Sequence, residues 1–250
     1  MRVETLTRAA GRLRRMLRCW FCRLTGRERL RVTLRSGLRF DVKPNDEIGL
    51  AIYNHERFEE EHRDTVLAHV KSGMKVLDIG ANIGYYTVLF AQKVGPDGRV
   101  LAFEPNPAMF DEARHNVSIN QFANVTIERI ALSDRLGELS FFVPAEGRGG
   151  HGSLAQNQSF SAVDTIRVAA SPLDEVLLGC GFGAVDLIKM DVEGGELAVC
   201  RGASRLLSGS RKPVIFFESA EVLCAPFGYR TFQLLALLES WGYVVKQIDY

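Results

Sequence analysis

One stretch constrains this chain more than any other: Val76-Leu77-Asp78-Ile79-Gly80-Ala81-Asn82-Ile83-Gly84-Tyr85-Tyr86-Thr87. A β-branched and aliphatic run carries an acidic residue near its end, and two glycines four apart then lead into Tyr-Tyr-Thr and an apolar segment. That order reads as strand, tight turn and helix. Gly80 lets the backbone turn sharply at the strand's carboxyl end, and Gly84 lets the first helical turn pack close to a ligand without a Cβ in the way. Such a junction is the entry to a nucleotide pocket.

The residues around the glycines narrow the choice of nucleotide. A nicotinamide fingerprint needs G-x-G-x-x-G, with its middle glycine where this chain has Asn82, and the spacing here is G-x-x-x-G. Asp78, two residues before Gly80, fixes a carboxylate where the ammonium of a ligand would sit. S-adenosylmethionine carries such an ammonium and NAD does not. The competing reading is a strand-to-helix turn with no ligand, and against it stands the cost of a buried strand-end Asp without a partner.

From Lys75 onward, strand and helix patterns alternate, which predicts an α/β fold: a doubly wound, mostly parallel sheet with helices on both faces. The first helix stops at Gly95-Pro96-Asp97-Gly98, and Val100-Leu101-Ala102-Phe103 forms the second strand, closed by Glu104. In such sheets the ligand lies across the carboxyl ends of the strands, and an acidic residue closing the second strand accepts bonds from ribose hydroxyls. Asn106 then caps a helix that has Pro107 at its first position. A third strand over residues 125–130 leads to Ser133 and Asp134, near the expected place of an adenine ring, although a simple turn explains them almost as well. A further extended piece covers 138–143, and residues 144–160 form a loose, glycine-rich loop that reads as a substrate lid or a solvated loop.

The second informative stretch is Val185-Asp186-Leu187-Ile188-Lys189-Met190-Asp191-Val192-Glu193-Gly194-Gly195-Glu196. Alternation along a central strand puts Leu187, Lys189 and Asp191 on one face. A lysine buried there needs a carboxylate, which Asp191 or Glu193 can supply. Three charged groups at the mouth of a ligand crevice make an active-site candidate; the competing reading is a structural ion pair that fixes the turn.

The N-terminal part is a separate feature. Residues 1–36 hold eleven arginines against Glu4 and Glu28, so the formal net charge of +1 conceals a remainder near −8. Residues 1–30 read as a basic amphipathic helix, with Val3, Leu6, Leu13, Met16, Leu17, Trp20, Phe21 and Leu24 at helical spacing. Residues 1–24 suit peripheral contact with anionic lipid, packing on the domain behind, or, less well, nucleic acid. Residues 31–74 follow as a β-hairpin turning at Ser36-Gly37 and a helix over 58–70, and residues 75–250 form the main domain. No apolar run reaches transmembrane length and Arg14, Arg15, Arg18 and Arg23 interrupt any signal-like segment, which predicts a cytoplasmic protein, peripheral at most. Five cysteines, with Cys19 and Cys22 as a lone C-x-x-C, predict neither a disulfide framework nor a metal site.

Several ordered motifs carry a resemblance to a known family. Leu77 to Thr87, Phe103-Glu104-Pro105, Ala131-Leu132-Ser133-Asp134, Pro172-Leu173-Asp174 and Ile188-Lys189-Met190-Asp191-Val192-Glu193-Gly194 resemble the successive motifs of the FkbM-type methyltransferases, as does Phe58-Glu59. The resemblance implies a class I, Rossmann-like fold that uses S-adenosylmethionine, commonly to methylate an oxygen on a sugar, glycolipid or natural product. It also implies that Asp78, Gly80, Asn82 and Gly84 surround the methionine part, that Glu104 binds ribose, that Ser133 and Asp134 lie near adenine, and that Glu59 is an extra contact. Two features depart from the pattern: the arginine-rich start, and a chain that stops after a sixth strand at 243–248 where a seventh, antiparallel strand is usual.

Methyl transfer to a hydroxyl requires alignment of the acceptor and removal of a proton. Asp191 and Glu193 are the candidates for base or acceptor positioning, Lys189 for holding their geometry, and His151 is an outside candidate. The Asp191-Val192-Glu193-Gly194 turn differs from the Asp/Asn-Pro-Pro-aromatic turn associated with base methylation. The alternatives are an RNA-ribose or protein methyltransferase using the arginine helix, and a non-catalytic nucleotide- or glycan-binding module. An interfacial anchor predicts that the full-length protein floats with anionic liposomes and that a form starting at Arg29 stays behind.

Overall fold

The computed structural model describes residues 29–43, 47–55, 59–144, 152–155 and 163–248. The amphipathic segment, Cys19, Cys22, Phe58, His151 and most of the loose loop lie outside them. The hairpin is present: β1 (Leu30–Thr33) pairs antiparallel with β2 (Arg39–Val42). A helix not anticipated from the sequence, α1 (Glu47–His55), follows, and α2 (Glu60–Ala68) leads to the main sheet.

Five strands build that sheet, all parallel: β3 (Lys75–Ile79), β4 (Arg99–Phe103), β5 (Val125–Glu128), β9 (Leu187–Met190) and β10 (Val214–Phe217), in the spatial order β10-β9-β3-β4-β5. The chain runs outward from β3 to β5 and then returns to the other side of β3. That reversal, between β3 and β9, opens a crevice at the carboxyl ends of the strands. Between β5 and β9 the chain makes a second, three-stranded sheet in which β8 (Val163–Ser171) lies between β6 (Ala131–Leu132) and β7 (Gly137–Pro144).

Alternation along the strands divides the core in two. Val76, Val100 and Leu187 face a cluster with the hairpin, α1, α2 and α3 (Tyr85–Val94), while Leu77, Ile79, Leu101 and Ile188 face the opposite cluster. The latter is covered by α5 (Leu173–Cys180), α6 (Glu196–Gly202), α7 (Ser204–Ser208), α8 (Glu221–Cys224) and α9 (Thr231–Ser240). Helices therefore cover both faces, as the alternating pattern predicts. Fully buried Phe40, Phe90, Phe103 and Leu77 each contribute on the order of 2 kcal/mol through loss of water contact.

Two strand expectations are corrected. Residues 243–248 form no strand: Tyr243 and Val245 lean on the core and Val244 is exposed, so the alternation is real, but no ladder partner lies alongside among the described residues. The outermost strand is instead β10, whose Val-Ile-Phe-Phe run lacks the polar alternation that marks a half-exposed strand. The third strand is also shorter than residues 125–130, because Ala131 and Leu132 cross into the second sheet. Among the described residues no helix is long and apolar enough to cross a membrane.

The hairpin is joined to the main domain through buried polar groups. Asn116, on α4 (Pro107–Ile119), accepts the Asp41 N–H at 2.9 Å and donates to the Ile83 carbonyl at 2.8 Å. Asp41 also meets Arg31 at 2.7 Å and His115 at 2.8 Å, and these contacts, the Arg31 bond foremost, hold its carboxyl down at about 2. Replacing Asn116 with Ala strands a buried donor and a buried acceptor, so Asn116→Ala should lower unfolding free energy by about 2 kcal/mol in urea titration.

Candidate active site

The crevice at the carboxyl ends of β3, β4 and β9 is a cavity open to solvent on one side, with about 920 Å³ of space when that open solvent is included. Gly80 turns at its floor with φ of +85°, and a Cβ there would lie 1.9 Å from the Asp191 carbonyl oxygen. Only glycine permits β3 and β9 to end so close together. Gly84 also has positive φ, +82°, but a Cβ on it would meet Ala113 of α4 at 3.1 to 3.2 Å. Gly84 therefore lets α3 pack closely on α4 and does not itself line the cavity.

One end of the cavity pairs a buried carboxylate with an apolar wall. Glu104, almost fully buried, accepts the Asn82 N–H at 2.8 Å on one carboxylate oxygen and the Asn106 N–H at 2.9 Å on the other. Each oxygen keeps lone-pair capacity for a further donor. Burial pushes the Glu104 carboxyl up to about 7, against the pull of those two N–H groups. Asn82 holds a left-handed conformation with φ of 51°, its side chain accepting the Ile83 N–H at 2.8 Å. Phe103, Pro105, Ile130, Ala131 and Leu132 supply an apolar wall. Ser133 and Asp134 come next in the chain but lie outside that wall, bonded to each other at 3.3 Å.

The other end is charged. Asp78 and Lys189 are register partners on β3 and β9 and face the same side. The Lys189 ammonium lies 3.1 Å from Asp191 and 4.8 Å from the centre of the Tyr86 ring. The Tyr86 hydroxyl donates to Glu59 at 3.0 Å. Burial penalises the Lys189 charge, yet Asp191, Asp78 and Glu59 more than offset this and hold its pKa above the ordinary lysine value. Asp78 sits beneath the cavity wall, completely buried, with one oxygen accepting from Thr87 at 2.5 Å and the other unpartnered. Burial pushes its carboxyl up, and the nearby Lys189 charge opposes that.

Asp191 and Glu193 flank a turn that the structure holds firmly. Glu193 has φ of 54° and Gly194 φ of +100°, a position where a Cβ would lie 2.1 Å from the Leu223 carbonyl oxygen. The buried Glu196 carboxylate accepts N–H bonds from Val192 and Gly194 at 3.2 and 3.3 Å, and the Tyr229 hydroxyl lies 2.9 Å from the Gly194 oxygen. Ser153 donates to the Glu193 carbonyl at 3.0 Å while bridging to Phe142 of β7. Residues 152–155, the described part of the loose loop, thus lie on the turn, with Gly152 and Leu154 lining the cavity.

Of the residues expected from sequence, Gly80, Asn82, Glu104, Glu59, Lys189, Asp191 and Glu193 line one cavity, whereas Asp78, Gly84, Ser133 and Asp134 lie around it. Ile48 and Phe141 line the cavity without having been expected to, because the short helix that carries Ile48 has only two apolar turns to mark it and the extended piece that carries Phe141 reaches the crevice through a second sheet that its own sequence does not announce.

The orphaned oxygen of Asp78, the half-used carboxylate of Glu104 and the apolar wall beside it fit a ligand with a cationic amino group, a ribose and an adenine. A sheet that reverses beside β3, with such a carboxylate closing β4, belongs to the class I S-adenosylmethionine-dependent methyltransferases. Within that class, the chain is a member of the FkbM methyltransferase family, whose model, described as Methyltransferase FkbM domain, matches residues 78–245. It is similar to 2-O-methyltransferase NoeI of Sinorhizobium fredii, with 30% identity over 198 residues, covering 74% of this chain and 79% of the relative. Methyltransferase sdnD of Sordaria araneosa is 28% identical over 208 residues, 72% of this chain and 78% of its own. Hexuronic acid methyltransferase AglP of Haloferax volcanii is 30% identical over 131 residues, 52% of this chain and 50% of its own.

Glu104 gives a pH dependence whose sign is fixed. Its folded pKa is raised, so its contribution to stability of the free protein is full below about 4.5 and is lost as pH rises through about 7. The ionised form is the better acceptor for ribose hydroxyls. The thermal stabilisation given by S-adenosylhomocysteine should therefore grow from pH 6 to pH 8, and Glu104→Gln should flatten that growth.

Proposed function

We propose that this methyltransferase acts on a hydroxyl oxygen of a sugar, glycolipid or natural product. The observation that carries the reading is the Lys189–Asp191 pair, 3.1 Å apart, lining the same cavity as Gly80 and Glu104. A buried cation tied to a carboxylate beside a nucleotide cradle suits proton removal from a hydroxyl rather than transfer to an already nucleophilic group. The printed names of two relatives, a 2-O-methyltransferase and a hexuronic acid methyltransferase, support oxygen and sugar respectively.

S-adenosylmethionine supplies a methyl group activated on a sulfonium. The protein's part is alignment and proton management. Glu104 would take the ribose hydroxyls, the wall around Pro105 and Leu132 the adenine, and Gly80, Asn82 and the Asp78 field the methionine part. Asp191 and Glu193 would orient the acceptor hydroxyl and receive its proton. Lys189 fixes Asp191 and would offset negative charge gathering on the acceptor oxygen. Ile48, Phe141 and Leu154 line the cavity with apolar surface that limits water around the transfer.

The test is a labelled-donor assay against glycoside, glycolipid and small-molecule hydroxyl acceptors. Asp191→Asn and Glu193→Gln should each lower kcat by about a hundredfold or more, the usual scale of general acid–base assistance, with S-adenosylhomocysteine affinity little changed. Unchanged turnover in both variants would remove these carboxylates from the reaction.

A further inference from the structure

Tyr86, the second residue of α3, meets two charged groups of the cavity wall with two parts of one side chain. Its hydroxyl donates to the Glu59 carboxylate at 3.0 Å, and its ring centre lies 4.8 Å from the Lys189 ammonium. Glu59 stands just before α2 in a left-handed conformation, with φ of 47°, and its side chain makes no cap bond to that helix. The carboxylate is held by Tyr86 instead. Tyr85 meets the Tyr86 ring edge-on at 5.6 Å between centres, and Phe90 packs on it at 5.7 Å. Buried and braced on these sides, the ring keeps its place over Lys189.

Both contacts depend on charge. A ring face attracts an ammonium and gains little from a neutral amine. A phenol that donates to a carboxylate gains electron density, which deepens the negative face presented to the ammonium. Burial, and then the Glu59 charge, push the Tyr86 hydroxyl far above the ordinary phenol range, so it stays a donor. The charged groups that act on Lys189 come from each element packed around it: Asp191 at the end of its own strand, Asp78 on β3, Glu59 before α2, Glu104 after β4 and Glu218 after β10. Asp191 bonds the ammonium at 3.1 Å, and the Tyr86 face covers it where water is excluded.

Building on the hydroxyl-transfer reading, we propose that Tyr86 is a positioning residue: its ring face holds Lys189 as a fixed cation against Asp191, and its hydroxyl ties Glu59 into the same unit, so the acceptor proton goes to a carboxylate and not to the lysine. The hold on Lys189 stands on the contacts alone, and only the proton's destination rests on that reading. On transfer the acceptor oxygen forms its bond to the methyl carbon, the electron pair of the broken C–S bond returns to sulfur, and the proton ends on Asp191 or Glu193. A lysine acting as base would first have to lose its own proton, and both Tyr86 contacts oppose that loss.

The experiment is a pH titration by NMR of the full chain, carrying 15N-labelled lysine and loaded with S-adenosylhomocysteine, with Lys189→Met to identify the signal. Tyr86→Phe keeps the ring and removes the bond to Glu59, and Tyr86→Leu removes both. Lys189 should hold its proton most firmly in the wild type, about threefold less firmly in Tyr86→Phe and at least about tenfold less firmly in Tyr86→Leu, the scale of a desolvated cation–ring contact. In a Glu59→Gln background Tyr86→Phe should change little further, because the hydroxyl acts through that carboxylate; this comparison decides the matter where Tyr86→Leu does not fold. A role in packing alone would lower thermal stability and leave the titration untouched, which overturns the inference, as does any other order of the three proteins or additivity of the two conservative changes. Labelled-donor transfer to the hydroxyl acceptors is read on the same proteins, and kcat should fall in the same order. Ordered titrations with unchanged kcat overturn the role in transfer. Ordered titrations without transfer to any hydroxyl, in the wild type included, count against the hydroxyl reading and leave the hold on Lys189 standing.

Discussion

The closeness of β3 to β9 at their carboxyl ends is the constraint on which the rest depends. With a Cβ on residue 80 only 1.9 Å from the Asp191 carbonyl oxygen, the two strands end in contact that a side chain would forbid. That contact puts Asp78 beside Lys189, places Lys189 under Tyr86, and brings Asp191 to the cavity wall. The charges are costly to bury singly, and each is held by the field of the others. The charged wall of the cavity thus follows from a backbone approach, with side chains as its consequence.

Much of this was legible because the relevant signals are local. The run from Val76 to Thr87 announces strand, turn and helix through its apolar order and its glycines, and the structure has β3, a left-handed turn and α3 there. The ion pair of Lys189 was also legible, since a lysine on a buried strand needs a carboxylate and Asp191 and Glu193 were both within reach; the structure pairs it with Asp191. What escaped was non-local. Residues 243–248 alternate as a strand does, but a strand exists only where another lies beside it, and composition does not reveal that absence. Gly84 shows a related limit: a glycine's need for closeness is visible in sequence, and the identity of a close neighbour, here Ala113, is not.

The turn after β9 shows how a reactive segment is kept in an unfavourable backbone state. Glu193 and Gly194 both lie in the left-handed region, and the buried Glu196 carboxylate collects the N–H groups that the turn leaves free. Burial pushes the Glu196 carboxyl up to about 7, so its own ionisation is finely balanced where it supports the turn. The geometry of Glu193 is therefore set by a residue that faces the core.

Ser153 ties this turn to the second sheet by a single hydrogen bond to the Glu193 carbonyl. One wall of the cavity is carried by β3, β4 and their glycine turn, and the other draws on α1, β7 and residues 152–155, which arrive from elsewhere in the chain. A division of this kind makes the molecule modular. Under the proposed function, exchange of the segment between β7 and β8 among relatives would alter which acceptor is presented while the wall around Gly80 and Glu104 stays intact, with Ser153 the joint at which such a graft has to match.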